Sequence, residues 1–328
     1  MKQNFCHSCQ KNIPLFLVDS KKTYIPLKCA YCGLVQTSPM PSDNELISFY
    51  QGFSFECNTP EVMRRPLTAI TQSLKHFIGE NDESNHSTKT FLDYGGGAGI
   101  YCIAAEAIGW KTTLFDYDQK TVDYGINELG VREGYADWNA LKSRKFDVIF
   151  SFHVVEHWNE VENNFGNLIE KLNPGGRLII ATPNAHSIEK WFRPQHFLRY
   201  FRLWKPYMPS RWMRFKLLLK PDSVFCWDPP RHLFAWTPEA FRQLGKRFNL
   251  ETTIKVGYNI DKHFEPRAYV LYPLKKRIKQ VRSMKINLIR KILLAAWECI
   301  SLPCIQLASR VAPHYGEQLY VEFEKVHD

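Results

Sequence analysis

Residues 91–101 read Phe-Leu-Asp-Tyr-Gly-Gly-Gly-Ala-Gly-Ile-Tyr, and no other stretch constrains the fold as much. Apolar residues lead into Asp93, glycines stand at alternate positions 95, 97 and 99, and an apolar helical pattern starts at Ile100. A glycine-rich turn between a strand and a helix lets a ligand approach the backbone closely and meet the helix N-terminus. A Cβ would block that approach, and some of these positions need positive φ.

Strand–helix alternation continues from this turn, in the pattern of a parallel sheet. Strands are predicted at Thr90–Tyr94, Lys111–Phe115, Val131–Tyr135, Phe146–Ser151 and Arg177–Ala181, with helices at Ile100–Ile108, Gln119–Glu128 and Glu160–Leu172. Asn173-Pro174-Gly175-Gly176 reads as the stop of the third helix. The pattern resumes with a helix at Thr237–Phe248, capped by Thr237 with Pro238 at its first position, and strands at Glu251–Val256 and Gln318–Glu324. The fold class is therefore α/β, a doubly wound, mostly parallel sheet of seven strands.

A glycine turn alone suits a nicotinamide cofactor, a flavin, S-adenosylmethionine or no ligand at all. The dinucleotide fingerprint G-x-G-x-x-G needs a glycine at position 100, where Ile100 stands, and Asp93 inside the motif is atypical of it. Asp116 ends the second strand, where an acidic residue can bind the two ribose hydroxyls of an adenosine. Asp118 reads as a helix cap.

Asp93-x-Gly95-x-Gly97-x-Gly99, Asp116, the strand FDVIFSFHVVEHW, the turn LNPGGRLIIATPN and the later HLFAWTPEAFRQL together resemble the class I S-adenosylmethionine-dependent methyltransferases. The likeness points to the branch of the ubiquinone-biosynthesis O-methyltransferases and bacterial sugar and natural-product methyltransferases. It is tight over Lys89–Asn184 and loose elsewhere. It implies that Asp93 and Gly95 to Gly99 surround the methionine part of the cofactor, that Asp116 holds the ribose, that Tyr117 lies against the adenine, and that Asp137 meets the adenine amine.

Cys6-x-x-Cys9 and Cys29-x-x-Cys32 have the spacing of a four-thiolate zinc site, closed and therefore structural. Two disulfides or an iron cluster are the alternatives. The stretch CAYCGLVQTSPMPSDNELISFY also resembles the zinc ribbon that opens some bacterial sugar and natural-product methyltransferases. The remaining cysteines, Cys57, Cys102, Cys226, Cys299 and Cys304, read as buried free thiols of a reducing compartment. The expected organisation is a zinc-ribbon-like knuckle over 1–41, a helical segment and linker over 42–88, and a methyltransferase domain over 89–328. Insertions fall at about 186–230 and 260–315. Ser42 and Glu45 form a capping box for the helical segment, which runs to about Ile78.

In a doubly wound fold, substrates bind beyond the carboxyl ends of the strands. The fourth strand ends in SFHVVEHW, which brings His153, Glu156 and His157 there. A hydroxyl acceptor must lose its proton, and histidine suits that task at neutral pH. His157 is the candidate general base, His232 in DPPRHLFAW the second candidate, and Glu156 the orienter. In the ubiquinone branch a carboxylate stands where this chain has His153, and some members are thought to hold a divalent ion with those carboxylates. His153 weighs against magnesium here, although Glu156 and His157 remain as ligands.

The formal charge of +10 calls for a negatively charged partner: nucleic acid, an anionic membrane surface or a phosphorylated substrate. The expected reaction is O-methylation of a small molecule, a sugar or a lipid-linked glycan. C-methylation of a sugar, methylation of RNA and a non-catalytic binding protein are the rivals; no RNA-recognition motif accompanies the charge. Within 274–310, Ile278, Val281, Met284, Leu288, Ile292, Ala296 and Ile300 recur at near-helical spacing among lysines and arginines. That pattern suits either a helix lying on an anionic bilayer or a helical hairpin packed on the sheet. The N-terminus lacks the apolar run of a signal peptide, so the expected location is cytoplasmic, with peripheral attachment at the inner face of a membrane.

Overall fold

The computed structural model describes residues 5–12, 24–50, 67–79, 89–188, 210–212, 226–257 and 311–325, with the single positions 292, 296, 297, 300, 304 and 307. Among these described residues, ten strands lie in two sheets. The larger contains β3 (Thr90–Tyr94), β4 (Lys111–Phe115), β5 (Gly134–Tyr135), β6 (Phe146–Phe152), β7 (Leu172–Pro183), β9 (Leu250–Gly257) and β10 (Gln318–Lys325). Its order is β5-β4-β3-β6-β7-β10-β9, and β10 alone is antiparallel to its neighbours. This is the expected seven-stranded, doubly wound sheet. The order reverses direction at β3, so the crevice beside β3 and β6 is where such folds bind ligands.

Period-two alternation explains why the sheet is covered on both faces. Leu92, Ile149, Leu178 and Ile180 face one core layer with Phe165, Phe241 and Phe323. Phe91, Val148, Phe150 and Ile179 face the other, where Ile70, Leu74 and Ile78 of α2 (Leu67–Ile78) pack with Ala104 and Ala105 of α3 (Ile100–Glu106). The spacing of those three α2 residues is one helical face, and none is more than 7% exposed.

Two corrections concern the sheet. Asn173-Pro174-Gly175-Gly176 does not terminate a helix ahead of a strand; it lies inside β7. Phe146 pairs with Leu172 and Val148 with Arg177, so the four residues form an irregularity in the ladder. The strand expected over Val131–Tyr135 is only Gly134–Tyr135, because the Val131 N–H returns to the Gly125 carbonyl at 3.0 Å to close the preceding helix, α4 (Gln119–Leu129).

The smaller sheet joins β1 (Ile25–Lys28), β2 (Val35–Ser38) and β8 (Phe234–Ala235). Its first two strands flank the second cysteine pair and its third comes from the later part of the chain, so the cysteine segment is stitched to the large domain. Ser42 and Glu45 form the reciprocal capping box of α1 (Asp43–Tyr50): the Ser42 N–H bonds Glu45 Oε2 at 2.8 Å and the Glu45 N–H reaches Ser42 Oγ at 3.4 Å. The linker 80–88, most of the 186–230 insertion, and Ile278, Val281, Met284 and Leu288 of the basic segment lie outside the described residues. Ile292, Ala296, Trp297, Ile300, Cys304 and Leu307 are helical and exposed. Among the described residues no helix is long and apolar enough to cross a membrane.

Candidate active site and cysteine centre

The glycine turn joins β3 to α3. Gly95, Gly97 and Gly99 have φ of +69°, +57° and +78°. The Gly95 and Gly96 N–H groups both donate to the Phe115 carbonyl, at 2.7 and 3.2 Å, which ties the turn to the end of β4. Asp116 comes immediately after, and its carboxylate accepts from the Gly97 N–H at 2.8 Å and the Asp118 N–H at 3.0 Å. Burial pushes the Asp116 carboxyl above its ordinary value. Asp118 caps α4 through the Lys120 N–H.

Asp93 lies beneath this turn and is fully buried. Neither of its carboxylate oxygens has a hydrogen-bond partner among the described residues. Burial, with Asp116 nearby, pushes its pKa up to about 8. A buried carboxyl without a partner costs stability unless a ligand cation satisfies it, and the ammonium of a methionine moiety has that chemistry. Tyr117 is 69% exposed and meets the Phe115 ring edge-on at 4.9 Å. Asp137 is exposed, and its carboxylate caps a short 3-10 helix by accepting the Asn139 N–H at 2.9 Å.

β6 runs beside β3, so the turn after it abuts the glycine loop. In that turn His153 takes φ +57°, and Val155–His157 form a single 3-10 turn. Glu156 is 1% exposed. Its Oε1 lies 2.9 Å from His153 Nδ1, and its Oε2 accepts the Thr182 hydroxyl at 2.8 Å. Burial alone would raise the Glu156 pKa; the His153 hydrogen bond and the nearby imidazoles outweigh it and hold the carboxyl down at about 2.

His157 and His232 meet here, with ring centroids 4.9 Å apart. His157 Nδ1 is 2.6 Å from the Arg231 carbonyl, and His232 Nδ1 is 2.9 Å from the Cys226 carbonyl. A carbonyl only accepts, so both Nδ1 atoms carry protons and both Nε2 atoms keep their lone pairs. Tyr50 at the end of α1 adds its hydroxyl, 2.7 Å from His157 Nδ1 and 2.8 Å from the Arg231 carbonyl. Burial lowers the pKa of both histidines, that of His232 to about 3. Both are therefore neutral at pH 7, and Glu156 partly offsets the shift.

Sequence reasoning missed Tyr50, Thr182 and the Arg231 and Cys226 carbonyls. No local pattern marks them: Tyr50, Thr182 and the Arg231 carbonyl reach their partners across the fold, and the Cys226 carbonyl from the far side of its own loop.

The four cysteines also converge. Cys6 Sγ lies 3.4 Å from Cys32 Sγ, and Cys9 Sγ 3.6 Å from Cys29 Sγ. A disulfide needs about 2.05 Å, whereas a tetrahedron with metal–sulfur bonds of about 2.3 Å has sulfur–sulfur edges of about 3.8 Å. The turns that present them are matched: the Gln10 N–H returns to the Cys6 carbonyl at 2.9 Å and the Gly33 N–H to the Cys29 carbonyl at 3.0 Å. The donor set fits a structural zinc ion.

Sheet order, glycine turn and acidic strand end are those of the class I S-adenosylmethionine-dependent methyltransferase fold. Residues 63–254 match a family described as a methyltransferase domain, and the chain belongs to it. It is similar to the ubiquinone biosynthesis O-methyltransferase of Rickettsia canadensis, with 28% identity over 140 residues, 41% of this chain and 58% of that protein. The corresponding protein of Bartonella bacilliformis is 25% identical over 199 residues, 56% of this chain and 79% of that protein. The chain thus spans little more than half of the Rickettsia relative. Among solved structures, the plantazolicin methyltransferase BpumL in complex with a triazolic desmethylPZN analog and SAH aligns with a TM-score of 0.43 at 16% identity, over 87% of this chain and 91% of that one.

Proposed function

We propose that this chain transfers the methyl group of S-adenosylmethionine to a hydroxyl of a small molecule, a sugar or a lipid-linked glycan, with His157 taking the proton. The observation that carries this reading is the pair of imidazoles whose Nδ1 protons are committed to backbone carbonyls beside the glycine turn. Bound at that turn, the cofactor supplies an electrophilic methyl on a sulfonium. Asp93 would meet its ammonium, Asp116 its ribose and Tyr117 its adenine; Asp137, whose Oδ1 accepts from Asn139, would meet the adenine amine.

His157 is the better base. Proton transfer is most effective when the acceptor's pKa lies near the working pH, and His232 at about 3 lies too far below. Buried Glu156 favours the imidazolium as it forms. Turnover should therefore be flat above neutrality and fall on the acid side below the ordinary histidine value of 6.5, because the folded pKa of His157 is lowered and the neutral ring is the base. His157→Ala should lower turnover by about a hundredfold or more while cofactor affinity holds. Near-normal turnover in His157→Ala, with loss only in His232→Ala, would move the base to the other ring.

The charge of +10 supports an anionic partner, and the 274–310 segment supports peripheral attachment to an anionic bilayer at the cytoplasmic face. One experiment addresses both: incubate the protein and labelled cofactor separately with soluble metabolites, with total RNA and with glycolipids in anionic liposomes, then identify the product and sediment the liposomes. Label appearing only on RNA, or only on carbon, would overturn the hydroxyl reading. A second reading has Glu156, His157 and His232 hold a divalent cation, since one ligand atom from each lies within 4.8 Å of the others. Loss of turnover to a chelator, restored by magnesium, would favour it.

Zinc at Cys6, Cys9, Cys29 and Cys32 is proposed as structural. Elemental analysis of protein purified without added metal should give one zinc per chain, and the Cys9→Ser, Cys32→Ser double variant should lose it. Unchanged zinc content in that variant would place the metal elsewhere.

A further inference from the structure

The strands beside the second cysteine pair do more than cover the core. Thr37 lies on β2, beyond that pair, and is 2% exposed. Its hydroxyl donates to the Leu233 carbonyl at 2.8 Å and accepts the Trp227 indole N–H at 2.9 Å. Its N–H also donates to the Leu233 carbonyl, at 3.0 Å. One buried side chain therefore grips both ends of the loop 227–233, which carries His232 and the Arg231 carbonyl that His157 faces.

The loop is built to be held at its ends. Asp228 and His232 exchange backbone bonds at 3.2 and 3.0 Å, and Arg231 pairs with Asp228 at 2.8 Å. The Leu233 N–H anchors it to the Glu156 carbonyl at 2.8 Å. On the opposite side β2 and the knuckle support it: Val35 and Gln36 pair with Ala235 and Phe234, and the Thr237 hydroxyl bonds the Cys32 carbonyl at 2.6 Å. Cys6, Cys29, Cys32 and Leu34 share a core cluster with Phe234 and Trp236.

We propose that Thr37, held in place by the four-cysteine knuckle, is a positioning residue that fixes the His232 loop against His157. The knuckle then supports the acceptor site, through the Thr37 hydroxyl together with the β2–β8 pairing and the Thr237–Cys32 bond. The catalytic consequence rests on reading His157 and His232 as the acceptor side of the site; the positioning itself can be read without any substrate.

The probe is diethyl pyrocarbonate, which acylates neutral imidazole, tracked residue by residue by mass spectrometry on the full chain at neutral pH. Thr37→Val keeps the shape and the backbone N–H but removes the hydroxyl that accepts from the buried indole and donates to the Leu233 carbonyl. His232 should then be modified about tenfold faster than in the unaltered chain, in line with the cost of unsatisfied buried groups. Exposed His76, on α2, should react at an unchanged rate. Thr37→Ser keeps the hydroxyl and should restore the slow rate. Trp227→Phe removes the same bond from the other side and should match Thr37→Val, which keeps the test open if either variant folds poorly. An unchanged His232 rate in both variants overturns the proposal. So does a Ser variant as fast as the Val variant, since the methyl packing would then be what matters. If Thr37→Val frees His232 yet His232→Ala and His157→Ala both leave turnover intact, the positioning stands and the reading of the imidazoles as the acceptor site fails.

Discussion

Gly95→Ala should weaken binding of S-adenosylhomocysteine about a hundredfold in calorimetry while leaving the protein folded. Two costs act together at this position. Its φ of +69° is a conformation in which an L side chain is strained by roughly 1 kcal/mol or more. A Cβ there would also stand 2.5 Å from Val154 Cγ2 and 3.1 Å from Val154 Cγ1, closer than real Cβ contacts come. Val154 belongs to the turn that carries His153, Glu156 and His157, so relief must come from turning the stiff, β-branched Val154 side chain or from moving one of the two turns. Gly96→Ala adds a clash of 2.3 Å with the Asp93 carboxyl, which is fully buried and has no room to retreat. For each, a loss of about a hundredfold in affinity corresponds to roughly 2.7 kcal/mol. Gly79→Ala is the control. It shares the positive φ, +76°, but its Cβ would meet nothing within 4 Å, so it should leave the cofactor affinity unchanged. If Gly79→Ala and Gly95→Ala weaken binding equally, general destabilisation explains both and the turn is not the cofactor site.

The parts of this fold that the sequence makes legible are those decided locally. β3 and β4 fall on the predicted residues because each is a short run rich in threonine and aromatic residues ended by a turn former or an acidic residue. The helix after β8 starts where Thr237 and Pro238 place it, and the Ala240 N–H bonds the Thr237 hydroxyl at 3.0 Å as the cap requires. Proline and glycine at 174–176 mislead, because the usual meaning of Asn-Pro-Gly-Gly is a stop, whereas here the ladder with β6 absorbs the extra residues. The site divides in the same way. Asp93, the glycines, Asp116, Glu156 and His157 can be located from strand ends alone. Tyr50, Thr37, Thr182 and Trp227 cannot, because each is brought in by a pairing between distant segments, such as β2 with β8. Asp137 also has a local role: two residues before Asn139, it caps the short 3-10 helix.

Asp93 should make the empty protein less stable as pH rises, and cofactor binding should release a proton. The sign comes from its pKa, pushed up to about 8 by burial from an ordinary value of 3.8. Between those values the unfolded chain has lost the proton and the folded chain keeps it, so stability falls with rising pH. The slope from this one group is on the order of 1 kcal/mol for each pH unit. Asp93→Asn preserves the shape and removes the charge. It should flatten that slope, raising the melting temperature of the unliganded protein at pH 8 relative to the unaltered chain, with little change near pH 4. Binding should respond in the opposite direction. At pH 7 the carboxyl is largely protonated, and it becomes worth ionising only when a cation arrives within hydrogen-bonding range. Calorimetry in buffers of different ionisation enthalpy should therefore report release of close to one proton with S-adenosylhomocysteine, a release that disappears in Asp93→Asn along with most of the affinity. A stabilised variant that binds normally would show that Asp93 is not the group that meets the ligand's charge. A variant that loses both stability and binding would mean that the buried carboxyl has a structural partner outside the described residues. The expected combination, a more stable protein that no longer binds, would mark a carboxyl kept at a cost to the empty fold for the sake of the ligand's charge.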